Sequence, residues 1–256
     1  MSVTLLATGA WSVYGSTGTV YLNNEAGNQN TETYNGTTYP ISPYGGTLGG
    51  SNIDLFCVDF ADDTYWGTSW TVNVTDIGTA AAANPNTSPW AGTRDGSANA
   101  NTLYPTGTTL YEELAWLMTQ SIAPGQTVAN QDAIQEAAWL MTDPNETDLA
   151  HSTTSGTNLS YLTWIQDAQT YYADSASQTP TQFMAPNYND WYVLTDPAAA
   201  GNTGGKGLQE MLAYYTSTTP FNVGTMQSTP EPSTMALFGL ALVAAGLSGR
   251  RKRRSL

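Results

Sequence analysis

The chain has 256 residues, 40% hydrophobic and 11% aromatic, which suits one domain with a substantial core and excludes wholesale disorder. Its formal net charge is −14, yet five of its seven basic residues fall at positions 250–254, so only Arg94 and Lys206 face 21 acidic residues; that balance excludes a nucleic-acid binder. One cysteine and one histidine exclude an intramolecular disulfide and a Cys/His zinc centre, and no metal or cofactor is expected.

The chain opens MSVTLLATGAWSVYG, with no basic n-region and an apolar stretch too short for a secretory h-region. Because the other end calls for export, the expectation is a start placed too far downstream, with a different export route as the alternative. Residues 1–80 are punctuated by Gly, Asn and Pro, and the short alternating runs between them predict strands over 13–22, 53–60 and 69–74. In Trp70-Thr71-Val72-Asn73-Val74 every second residue is apolar, the pattern of a half-buried strand. Residues 81–108 hold Pro85, Pro89 and Pro105 among many Asn, Ser and Thr, and predict a long surface loop.

The pattern changes at Thr109. Leu110, Leu114, Leu117 and Met118 keep helical spacing, Thr109 with Glu112 forms a capping box, and Glu112 and Glu113 suit the positive end of the helix dipole. Pro124-Gly125 ends that helix. A second is predicted from an N-cap at Asn130 to the stop at Asp143-Pro144, with Ile134, Ala137, Ala138 and Met141 facing the core. A third, over 159–173, carries Leu159, Leu162, Ile165 and Tyr172 on one face. Residues 190–195 and 209–216 read as closing strands. The fold class is therefore α+β: an antiparallel β-sandwich or barrel-like body over 1–216 with a helical insert at about 109–176, then a linker over 217–229 and one C-terminal transmembrane helix.

That last segment reads TPEPSTMALFGLALVAAGLSGRRKRRSL. Pro230-Glu231-Pro232 precedes an uncharged run over 233–249, near the lower length limit for a bilayer span, and the run ends in Arg250, Arg251, Lys252, Arg253 and Arg254. A basic block of this kind stays on the cytoplasmic side, which leaves the body outside the inner membrane. The motif, helix and basic tail in this order resemble the PEP-CTERM sorting signal of Gram-negative bacteria. The resemblance implies an exported chain held in the inner membrane, its N-terminus outside, until an exosortase-type membrane transpeptidase acts on it. The cell surface or an exopolysaccharide matrix would follow. The signal is an address rather than an activity.

Within the body, Cys57 lies in Asp54-Leu55-Phe56-Cys57-Val58-Asp59-Phe60, where Leu55, Cys57 and Asp59 share a strand face. Taken alone it reads as a small buried hydrophobe. Gln135 sits at the edge of the apolar stripe of the second helix, with Trp139 at i+4 leaning over it as a shield; its plain reading is a boundary glutamine. Together the F-C-V strand and the downstream A-I-Q-x-A-x-W helix resemble the thioester domains of bacterial surface adhesins, over residues 40–195. That resemblance implies that Cys57 is the thiol and Gln135 the acyl donor of an internal thioester, which an amine on a partner opens to leave an isopeptide link. Sulfur leaves an acyl group activated towards amines, and Gln offers an acyl carbon whose leaving group escapes as ammonia.

Other residues read as structural. Asp59, Asp62 and Asp63 lack the alternating ligands and glycine of a calcium loop and predict a solvated strand end. Trp66, Trp70, Trp90, Tyr65 and Tyr104 could stack on sugars but read first as core and cross-strand pairs. His151 reads as a surface loop residue. The expected function is a non-enzymatic structural or adhesive component of the envelope or biofilm matrix that contacts exopolysaccharide or an amine-bearing surface partner. A non-covalent carbohydrate binder is the alternative, and a secreted glycosidase ranks behind both.

Overall fold

Successive residues of a strand point to opposite faces, and in this protein both faces of several strands are buried. The structure, a computed structural model, describes residues 16–23, 31–34, 37–60, 62–83, 88–95, 110–143, 160–173, 186–201, 207–215 and 227–228. Its elements in chain order are β1 (Ser16–Leu22), β2 (Thr31–Tyr34), β3 (Thr37–Pro40), β4 (Tyr44–Leu48), β5 (Ser51–Cys57), β6 (Ser69–Asp76), α1 (Ile77–Ala82), α2 (Leu110–Ser121), α3 (Val128–Thr142), α4 (Tyr161–Ala173), β7 (Trp191–Thr195), β8 (Met211–Tyr214) and β9 (Gln227–Ser228). The strands run β4-β5-β8-β7-β6-β1, all antiparallel, and β1 also pairs with β4, which closes a six-stranded barrel. Between a sandwich and a barrel, the barrel is what forms. β2 and β3 make a separate hairpin, and β9 lies against Ser16 and Thr17 of β1.

A barrel this narrow is filled by its own side chains. Leu55 and Cys57 of β5, Tyr192 and Leu194 of β7, and Met211 and Ala213 of β8 point into that interior. The intervening Phe56, Trp191, Val193 and Leu212 point out into a second core shared with α1, α2, α3 and α4. This double burial explains why Trp191–Thr195 has no exposed residue. It also explains why α3 is buried at every position from Asp132 to Trp139. The barrel lies on one side of that helix, with α2 and α4 on the others. Trp139 crosses from the helix layer and joins the barrel interior.

Several expectations are revised. The N-cap of α3 is Thr127, whose side chain accepts the Asn130 N–H at 3.2 Å, so the helix starts before Asn130. Helix α1 was not expected; Asp76 at the end of β6 caps it by accepting the Thr79 N–H at 2.7 Å. The stretch after it is not all surface, since Trp90, Thr93 and Arg94 are buried. On α4 the inward residues are Trp164, Ile165 and Ala168, while Leu162 is 45% exposed; this helix faces its neighbours about one residue further round than the spacing suggested. Glu113 is buried in α2 rather than sitting at an open helix start. Thr109, Leu159 and the 233–249 segment lie outside the described residues. Among the described residues no helix is long and apolar enough to cross a membrane.

Candidate functional site at the junction of barrel and helices

Cys57 is the last residue of β5, and Gln135 lies midway along α3. The fold brings them side by side. The Gln135 Nε2 donates to the Cys57 carbonyl at 2.6 Å, while its Oε1 accepts the Ser42 N–H at 3.2 Å. Ser42 completes the clamp, its Oγ accepting the Cys57 N–H at 2.9 Å. Around the sulfur, the Trp139 indole N–H donates to Sγ at 3.2 Å and the thiol donates to the Asp59 carbonyl at 3.2 Å. Cys57 is 1% exposed and Gln135 2%. Gln135 is thus no boundary residue, and the indole nitrogen of Trp139 is directed at the sulfur.

Burial pushes the Cys57 thiol up to about 12, against the opposing pull of the Trp139 N–H. At neutral pH the sulfur is therefore a neutral thiol, a weaker nucleophile than a thiolate. Two groups held in one dry site would react as parts of one molecule, which is the way such an arrangement could offset a protonated sulfur. The Ser42 N–H on Oε1 would also stabilise the negative charge that develops on that oxygen.

Next to this pair a pocket of about 100 Å³ opens, with Trp139 as one wall and Tyr39, Tyr44, Phe60 and Trp66 as others. Phe60 packs on Trp139 with ring centroids 4.9 Å apart, and Trp66 meets Tyr44 edge-on at 5.3 Å. Of the aromatics considered for sugar stacking, Trp90 is core, stacked on Tyr111 at 5.2 Å. Trp70 is half-buried, Tyr65 is 63% exposed and Tyr104 lies outside the described residues, as does His151.

A second cluster lies just beyond Cys57 and corrects the reading of Asp59 as solvated. Asp59 is 3% exposed and pairs with the Arg94 guanidinium at 2.7 Å; Asp62 shares the same guanidinium nitrogen. Glu210 accepts the Arg94 N–H at 2.7 Å, the Tyr111 hydroxyl at 2.8 Å and the Thr195 hydroxyl at 2.5 Å. Burial pushes the Glu210 carboxyl up to about 7. Of the three aspartates, Asp63 is the exposed one. Sequence reasoning missed Ser42, Arg94 and Glu210. One signal was available for Arg94: one of only two basic residues in so acidic a body is a natural partner for buried carboxylates. Among the described residues no group of three or more His, Cys, Asp or Glu could hold a metal ion.

Residues 228–254 match the PEP-CTERM protein-sorting motif. No curated protein and no solved structure matches the chain. The motif marks an exported protein, membrane-anchored before it is processed by exosortase, itself a membrane enzyme. Pro230, Glu231, Pro232 and the basic residues Arg250, Arg251, Lys252, Arg253 and Arg254 fall within the match and outside the described residues.

Proposed function

We propose that this exported protein is a structural or adhesive component of the cell envelope or matrix that forms a Cys57–Gln135 thioester and captures amines covalently. One observation carries the reading: a single glutamine carboxamide, buried from water, donates to the carbonyl of the only cysteine and accepts from the Ser42 N–H, whose own side chain holds the Cys57 N–H. In the first step Sγ bonds to the Gln135 amide carbon, the C–N bond breaks, and the thiol proton leaves with the nitrogen as ammonia. In the second, an amine nitrogen bonds to that carbon, the C–S bond breaks, and an amine proton returns to the sulfur. The water-poor setting protects the acyl group from hydrolysis, and Trp139 covers the sulfur until a partner arrives.

Intact mass tests the first step. The purified full-length chain is expected to weigh one ammonia less than its sequence, and Cys57→Ala is expected to restore the full mass. A full wild-type mass, with one thiol titrating after denaturation, would overturn the reading.

A further inference from the structure

Ser42 is hydrogen-bonded to both members of the Cys57–Gln135 pair. It lies between β3 and β4, 15 positions from Cys57 and 93 from Gln135, and is 4% exposed. Its backbone N–H meets the Gln135 carboxamide oxygen, and its hydroxyl oxygen takes the Cys57 N–H. A serine hydroxyl has one proton to donate and two lone pairs to accept with. The Ser42 hydroxyl also hydrogen-bonds the Tyr44 phenol, whose own O–H is committed to the Pro40 carbonyl at 2.8 Å. The Ser42 proton therefore goes to Tyr44, which leaves its lone pairs for the Cys57 N–H. A relay results, running from Cys57 through Ser42 and Tyr44 to Pro40, and each of its three donors has an acceptor. Buried networks fix a single geometry when all their members are satisfied.

We propose that Ser42 is a positioning residue for the acyl transfer. Its backbone orients the Gln135 carboxamide, its side chain fixes the end of β5 that carries the sulfur, and Tyr44 acts through it by setting the direction of the hydroxyl. The assignment rests on the thioester reading. A misplacement of about 1 Å between reacting groups costs on the order of 10²-fold in rate. Ser42→Ala keeps the N–H on Gln135 and removes the acceptor of the Cys57 N–H, so it loosens the nucleophile alone. That N–H takes no part in the exchange of bonds, and its hydrogen bond to Ser42 is the same before and after. Its loss therefore slows the forward and reverse steps alike and leaves the balance between them unchanged.

The test uses the full-length chain and ammonia. The ammonia nitrogen bonds to the Gln135 carbon, the C–S bond breaks, and one ammonia proton passes to the sulfur, which restores carboxamide and thiol. Once ammonia is withdrawn, re-formation of the thioester is followed by intact mass. Ser42→Ala is expected to re-form it about tenfold to a hundredfold more slowly. Opening by ammonia should slow by the same factor, and the thioester fraction reached at fixed ammonia should match the wild type. Tyr44→Phe is expected to slow re-formation less than Ser42→Ala does, and to add nothing in the double variant. Wild-type rates in Ser42→Ala, a shifted thioester fraction at fixed ammonia, or effects of the two changes that multiply would each overturn the assignment. Should Ser42→Ala fail to fold, Tyr44→Phe still decides, because an unaltered rate there removes the relay. A wild-type chain of full mass removes the thioester reading and this assignment with it; an ammonia deficit with unaltered variant rates removes only the role of Ser42.

Discussion

At the scale of single residues, Glu210 is the most exacting group. It is 2% exposed, and burial outweighs the hydrogen bonds and the Arg94 charge that draw its carboxyl down. Its pKa rises from an ordinary 4.5 to about 7. Between those values the folded protein holds a proton that the unfolded chain has released. Its contribution to stability is therefore full below about pH 4.5 and is lost as the pH rises through about 7. Thermal unfolding across that window is expected to show a wild-type Tm that falls more steeply with pH than that of Glu210→Gln. Coincident profiles would mean that Glu210 ionises freely. The cluster was illegible in the sequence because its members are far apart along the chain: Arg94 reaches Glu210 across 116 positions and Asp59 reaches it across 151. That Cys57 and Gln135 are neighbours was expected only through the resemblance of the F-C-V and A-I-Q-x-A-x-W segments to thioester domains; the hydrogen bond between them shows the contact and not the chemistry. Ser42, in an unpatterned stretch before β4, announced nothing.

At the scale of elements, strong periodicity gave reliable reading and weak periodicity did not. β5, β6, β7, α2 and α3 fall close to where alternation and helical spacing put them. β4 did not register, because Tyr44-Gly45-Gly46-Thr47-Leu48 looks like a turn. Gly46 is there for space: a Cβ would sit 2.5 Å from the Leu55 Cδ1 and 2.7 Å from the Tyr21 carbonyl oxygen. The neighbouring side chain can shift, but the β1 backbone is held by its pairing on both sides. Gly46→Ala is expected to destabilise the protein by about 1–3 kcal/mol through overpacking, read as a lower denaturation midpoint. An unchanged midpoint would show that the β1–β4 seam gives way easily. Amphipathic reasoning failed on α3 for a related reason. A helix enclosed on several sides has no outward face to mark it, so Gln135 looked like a boundary residue.

At the scale of the molecule, barrel and helices share strands whose two faces feed two cores, and the Cys57–Gln135 pair sits where those cores meet. A change in α3 therefore reaches the sulfur directly. The other whole-molecule feature is β9. Its last residue, Ser228, is hydrogen-bonded to β1 and is also the first residue of the sorting motif. Pro230 follows two residues later, a reach of at most about 7 Å even for fully extended chain. The leash between folded body and address label is thus almost nil. Were processing to take place at Pro230-Glu231-Pro232, the short spacing from β9 would bring the enzyme close to the paired strand. Inserting a few Gly-Ser residues after Ser228 is expected to speed processing, followed as loss of the C-terminal tail, and an unaltered rate would mean that crowding at the wall does not limit release.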